Sequence, residues 1–153
     1  MNYLLIDFGA SRVKSAVFNT ATRSLSGFSS SPAPDFLPLK SPFREISAAE
    51  LQKIFIKTAG GALKKDSRIA GIFICAQMHG FAVLDENNLP LTNYISWQDE
   101  RSKIKKHGKS VFGALSRAGG KDFRKITGMK LRAGFAFSNF IALAKDGRLP
   151  KRC

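Results

Sequence analysis

Asp7, Gly9, Ser11, Arg12 and Lys14 crowd one short segment directly behind the apolar run Tyr3-Leu4-Leu5-Ile6. A glycine-bearing turn exposes backbone N–H groups that can surround an anion. Lys or Arg adds a point charge or a fork, and an aspartate can hold the Mg²⁺ of a polyphosphate through water. These residue types suit a phosphate site; the competing reading is an ordinary hairpin with a solvated polar tip. Neither G-x-x-x-x-G-K-[ST] nor G-x-G-x-x-G occurs, so the two common phosphate loops do not apply.

A second group follows the run Ile69 to Ala76, which is almost wholly apolar and predicts a central strand covered on both faces. It leads straight into Gln77-Met78-His79-Gly80, and polar groups at the end of a buried strand are well placed to meet a ligand in an open α/β sheet. Further on, Ser96-Trp97-Gln98-Asp99-Glu100-Arg101 closes another strand-like run. The plain alternatives are a hydrogen-bonded strand-end histidine for His79 and core packing for Trp97.

The elements that must position these residues can be read around them. Tyr3 to Ile6 and Val13 to Phe18 predict two strands paired as a hairpin, with Phe8 to Arg12 as its tip. A third strand is expected at roughly Ser24 to Phe28, then a long Ser/Pro-rich connection from Ser29 to Pro42. Ser47-Ala48-Ala49-Glu50 has the capping-box pattern and opens a helix whose apolar face carries Leu51, Ile54, Phe55 and Leu63. Phe81 to Leu84, the turn Asp85-Glu86-Asn87-Asn88, and Leu91 to Trp97 predict a further strand pair.

At 153 residues and 44% hydrophobic content the chain can bury the core of one domain. The sequence shows no apolar run of about 18 residues and its N-terminus enters a strand directly, so neither a membrane span nor a secretory signal is expected. Cys75, in a strand expected to be buried, and Cys153 form no metal or disulfide pattern, and a reducing cytoplasm is the simplest setting. The net charge of +14 raises nonspecific affinity for nucleic acid, with basic residues gathered from Lys103 to Lys109 and from Lys121 to Arg132. No aromatic residue interleaves the first cluster and no nucleic-acid module signature is present, so a solvated helix face is expected, with His107 an exposed neighbour of lysines.

Taken in order, I-D-F-G-A-S-R-V-K-S-A-V-F, G-I-F-I-C-A-Q-M-H-G-F-A-V-L-D-E and P-L-T-N-Y-I-S-W-Q-D-E-R resemble the N-terminal region of the FGGY carbohydrate kinases, within the actin, hexokinase and Hsp70 ATPase superfamily. A weaker match continues through I-T-G-M-K-L-R-A-G-F-A-F-S-N-F, from Ile126 to Phe140. The resemblance implies an α/β fold of the RNase H-like, actin-like ATPase type, with a mixed sheet whose first three strands are antiparallel. It also implies ATP and Mg²⁺ as cofactors, and phosphorylation of a ketose or polyol hydroxyl. In that reading Asp7 holds Mg²⁺ through water, Gly9, Ser11 and Arg12 lie on the loop facing the transferred phosphate, and Lys14 is the basic residue beside it. Gln77, Met78 and His79 line the sugar pocket and Trp97 forms an apolar wall. Asp99 and Arg101 either contact sugar or hold the loop as an ion pair. Ala10 stands where the family usually has Thr, which puts one phosphate or water contact in doubt.

The family's general base, usually in a G-x-x-D element, its second phosphate loop and its adenosine pocket are not found between Lys103 and Cys153. The resemblance therefore implies that residues 1–153 are an incomplete N-terminal domain, with the C-terminal nucleotide-binding domain absent and the base beyond Cys153. Phosphoryl transfer needs donor, metal, acceptor and base positioned together, so this chain alone should not turn over. The partner implied is a small sugar, with M-H-G suggesting a ketose such as xylulose or sedoheptulose. No membrane or specific nucleic acid is implied, and a homo-oligomer of the full-length protein is compatible with the family. Two other readings stay open: a catalytically dead sugar-binding or interaction module, and a basic nucleic-acid-binding domain.

Overall fold

The computed structural model describes residues 1–119 and 122–149. Lys121 and Cys153, named above in the basic cluster and the cysteine count, lie outside the described residues. The chain forms two compact units: Met1–Asp35 with Ala49–Met78, and Phe36–Ala48 with the residues from His79 onward.

The first unit is built on strands β1 (Asn2–Phe8), β2 (Arg12–Asn19), β3 (Ser24–Pro32) and β5 (Ile69–Ala76), in sheet order β3-β2-β1-β5. The first three are antiparallel neighbours, while β5 runs parallel to β1. The chain between β3 and β5 includes helix α1 (Ala48–Lys65), the crossover a parallel pair requires. Alternation along β1 and β2 buries Leu4, Ile6 and Val13, and these form the core with Ala59 of α1. Ile54, Phe55 and Ala62 pack onto that cluster. Helix α1 begins directly behind Ser47, as the capping pattern predicts, but Leu63 is exposed and small Ala59 and Ala62 hold the inner positions instead.

Three expectations for this unit are corrected. β3 runs to Pro32 rather than stopping near Phe28, so the Ser-rich start of the expected connection is strand. Its register against β2 shifts between Ser15 and Val17, where Gly27 sits at φ 61, so a bulge at the glycine re-aligns the ladder and lets it continue. β5 is an edge strand and not a buried central one: Phe73 is 61% exposed, and Ile72 and Ile74 are also exposed. Cys75 is accordingly exposed as well.

The second unit places strands β4 (Glu45–Ile46) and β6 (Tyr94–Ile95) in a short antiparallel ladder. A 3₁₀ turn at Arg101–Lys103 follows, then the hairpin β7 (Lys105–Lys106) and β8 (Lys109–Ser110), and helices α2 (Val111–Gly119), α3 (Asp122–Thr127) and α4 (Ala136–Lys145). The strand pair expected between Phe81 and Trp97 is reduced to single bridges, Phe81 to Ile95 and Leu84 to Pro90. Pro90 has no N–H to extend the ladder, and the Asp85 carboxylate takes the amides of Asn87 and Leu89 instead. The lysine cluster from Lys103 to Lys109 is a turn and hairpin rather than a helix face, with His107 and Gly108 at positive φ in its tip. His107 is exposed, as expected. Among the described residues no helix is long and apolar enough to cross a membrane.

Candidate functional site

The β1–β2 register sets the first group. Asp7 lies directly opposite Lys14, so a carboxylate and an ammonium share one rung at the open end of the hairpin, and both are exposed. Gly9 donates its N–H to the Arg12 carbonyl at 3.0 Å and closes the turn. The amides of Ala10 and Ser11 lie outside that bond. Ser11 accepts the Ala33 amide at its carbonyl, which leaves its exposed hydroxyl as the polar group of the tip, and Arg12 Nε donates to Ser30 Oγ at 2.7 Å. The turn thus concentrates two cations and one anion on an exposed tip closed by the Gly9 to Arg12 hydrogen bond.

Asp7 can be weighed as a metal residue on this geometry. No three His, Cys, Asp or Glu side chains gather into a metal cage among the described residues. One exposed carboxylate is nevertheless a fitting donor set for Mg²⁺, which keeps several waters and takes much of its coordination from phosphate oxygens. Asp7 would be the residue to hold it, with the ion neutralising phosphate charge.

The second group begins where β5 ends. Gln77 is half-buried, and Met78 is 76% exposed, the last residue of the first unit. His79 opens the second unit at φ 66, a left-handed conformation that is uncommon for a residue with a Cβ. Its ring stacks on Phe135 with centroids 4.4 Å apart and planes at 26°. Gly80 follows, where a Cβ would lie 1.9 Å from the Tyr94 hydroxyl oxygen, so that any side chain would require the Tyr94 ring to move. Burial raises the pKa of Tyr94 above the ordinary phenol value.

Trp97 is 43% exposed, which sets aside the expectation of core packing. Its backbone is held from below, because Gly134 passes so close that a Cβ at 134 would sit 1.7 Å from the Trp97 carbonyl oxygen. Asp99 is fully buried and its carboxylate is spent within the protein. Oδ1 accepts the Arg101 amide and Nε, both at 2.9 Å, and Oδ2 accepts Arg101 Nη2 at 2.8 Å and the Arg44 amide at 2.7 Å. Arg101 is 6% exposed and also reaches Glu45 at 2.6 Å. Its burial alone would favour the neutral form, but the bonds to Asp99 and Glu45 outweigh this and hold the guanidinium pKa above its usual value. Asn139 donates to the Asp99 carbonyl, and Ser102 donates to the Ala133 carbonyl, which ties the loop carrying Trp97 to the start of α4.

Within their units, then, Asp7 and Lys14 are brought together across one rung of the hairpin, and Trp97, Asp99 and Arg101 on one anchored loop. Sequence reasoning missed Arg44, Glu45, Phe135 and Asn139. The only signal for the last two was G-F-A-F-S-N, whose spacing alone does not say what it packs against.

Comparison with known proteins adds the lineage. The profile of the FGGY family of carbohydrate kinases, N-terminal domain, matches residues 2–142. A crystal structure of a xyloylose kinase from Brucella ovis is 25% identical with TM-score 0.79, covering 96% of this chain and 30% of that one. A gluconate kinase from Lactobacillus acidophilus is 20% identical with TM-score 0.76, covering 96% and 29%. A ligand-bound xylulose kinase from the same organism is 20% identical with TM-score 0.75, covering 95% and 29%. No curated protein sequence matches the chain. The chain spans about 30% of the length of the kinase structures it resembles.

Proposed function

The chain belongs to the FGGY family of carbohydrate kinases, and from that premise we propose that it supplies the phosphate-facing hairpin and the sugar-facing loops of an ATP-dependent, Mg²⁺-assisted kinase acting on a ketose or polyol hydroxyl. The observation that carries the reading is the match over residues 2–142, which runs through the phosphate-type turn and the Trp97 loop in one order. The actin-like fold it shares with the kinase structures supports it further.

Each residue then has a task its surroundings allow. Asp7 holds the metal through water, while the Ser11 hydroxyl, Arg12 and Lys14 orient and neutralise phosphate oxygens around the turn that Gly9 closes. Met78 and His79 meet the sugar with Gln77 supporting them, and the stack on Phe135 holds the His79 ring. Trp97 offers an apolar wall to the carbon face of the acceptor. Asp99 and Arg101 act as positioning residues for that loop, because their polar atoms are already engaged with each other and with Glu45 and Arg44. The residues in hand contain no identified base for the acceptor hydroxyl. The 153 residues alone should therefore bind sugar without phosphorylating it, in a reducing, cytoplasmic setting.

Trp97 is the single tryptophan of the chain, so intrinsic fluorescence reads this site without labelling. Titration with D-xylulose, xylitol and D-gluconate should give a saturable change for at least one of them that is lost in His79→Ala. No saturable change with any ketose, polyol or sugar acid would overturn the assignment of the sugar side.

A further inference from the structure

We propose that the second unit carries a separate binding site for a small phosphate-bearing anion, in the hollow bounded by the β7–β8 hairpin, α2 and α4. The hollow encloses about 300 Å³, the scale of a small-metabolite pocket, and lies within that one unit. Ile104, Val111, Ala114 and Ala142 supply its apolar lining.

The charge balance of its wall makes the argument. Two of the cations lining it are already neutralised: Arg101 by Asp99 and Glu45, and Lys106 by Asp146 at 2.7 Å. Lys109, Arg117 and Lys145 also line it, and among the described residues Asp146 is the one acidic residue on the wall. Three further exposed cations therefore line one concavity, and among the described residues the carboxylates beside it, Asp146 and the Asp99 and Glu45 that share Arg101, leave its wall with a net positive charge. Arg117 reaches the hollow from α2, its Nη1 3.7 Å from where a Cβ on Gly113 of the same helix would stand. Like charges lining one concavity repel one another, and a multiply charged anion is the ligand that relieves them.

The shape selects among anions. Nucleic acid binders of low specificity present an extended basic track with aromatic platforms for bases, and among the described residues no aromatic side chain lines this hollow. A phosphate group on a compact organic body suits it: oxygens meet the lysines and the arginine fork, and carbon meets the apolar lining. The inference rests on this balance of charge and does not depend on the kinase reading.

The test is calorimetric titration of the whole chain with inorganic pyrophosphate, glucose 6-phosphate, AMP and a single-stranded DNA oligonucleotide, at low and at near-physiological salt. Three proteins are compared: wild type, the triple variant Lys109→Gln/Arg117→Gln/Lys145→Gln, and a control triple on α1, Lys57→Gln/Lys64→Gln/Lys65→Gln, which removes equal charge elsewhere. One phosphate ligand should bind per chain, the site variant should lose about tenfold or more in affinity, and the control should stay within about twofold. Pyrophosphate alone binding would mark a site for free phosphates, and glucose 6-phosphate or AMP binding more tightly would mark one for organic phosphates; both support the proposal. An equal loss in both triples, no loss in the site variant, or binding of DNA without small phosphates would overturn it. Thermal melting checks that the site triple folds; should it not, Lys145→Gln alone, read through amide shifts at Gly113 and Ala114, gives the same decision.

Discussion

The Arg101 guanidinium clasps both carboxylate oxygens of Asp99, Nε to Oδ1 at 2.9 Å and Nη2 to Oδ2 at 2.8 Å, with both side chains buried. Removing one partner of a buried pair strands the other. Asp99→Ala or Arg101→Ala should therefore lower stability by about 3–5 kcal/mol, whereas the double variant Asp99→Leu/Arg101→Met should recover much of that loss. Urea unfolding checks this. Single variants within about 0.5 kcal/mol of wild type would show that the pair does not hold the loop.

Gly134 under the Trp97 carbonyl gives a backbone test of the same loop. The 1.7 Å approach is to a carbonyl oxygen, which cannot swing aside as a side-chain tip could. Gly134→Ala should cost about 1–3 kcal/mol and move the emission maximum of Trp97, because the loop itself must shift. An unchanged spectrum together with unchanged stability would mean that the backbone there yields freely.

The parts of this molecule that were legible in the sequence are those decided by neighbours in the chain. The β1–β2 hairpin follows from an apolar run, a glycine turn and a second apolar run, and α1 follows from its capping pattern. What β5 packs against is not a local property: Ile72, Phe73 and Ile74 have the composition of a covered strand, yet stand exposed at a sheet edge. The Lys103 to Lys109 cluster misled for a different reason. Its charge hid the His107-Gly108 tip, whose positive φ values make it a hairpin. For the candidate site, the W-x-D-x-R spacing suggested a pair between Asp99 and Arg101. The contributions of Arg44 and Glu45 could not be read, since they arrive from far earlier in the chain.

Tyr94 should give the second unit an alkaline limit. Burial raises its phenol pKa, so the folded state favours the protonated form. That contribution is fully present below the unfolded value near 10 and is lost as pH rises through the higher folded value. Between about pH 9 and about pH 11 the wild type should lose more stability than Tyr94→Phe, which has no proton to lose. Equal losses measured by urea midpoints would show that Tyr94 does not set the limit.

His79 offers a separation of strain from binding. Its left-handed backbone costs any residue with a Cβ roughly 1–2 kcal/mol, while its stacking on Phe135 returns about 0.5–1.5 kcal/mol. His79→Gly should therefore be close to wild type in stability, and His79→Ala lower than His79→Gly by about 1 kcal/mol. Both should lose the sugar-dependent change in Trp97 fluorescence. A variant of either kind that binds sugar as wild type does would return His79 to a purely structural role.

Asp7 is the residue on which the phosphate-side proposal turns. It stands exposed opposite Lys14, one carboxylate beside the turn that Gly9 closes, and its proposed task is to hold a metal ion rather than the acceptor. Charge neutralisation by such an ion grows as the transition state forms, so a form of the protein that phosphorylates sugar should lose kcat in Asp7→Asn while its sugar KM changes little. The competing view is that Asp7 only ends a strand, paired in register with Lys14. The two views differ in their metal dependence: Asp7→Asn should require more Mg²⁺ for half-maximal rate if it holds the ion, and should show only a lowered Tm if it merely ends the strand. Steady-state rates across a Mg²⁺ titration, with sugar saturating, decide between them, and unchanged kcat with unchanged Mg²⁺ dependence would remove the hairpin from the phosphate site.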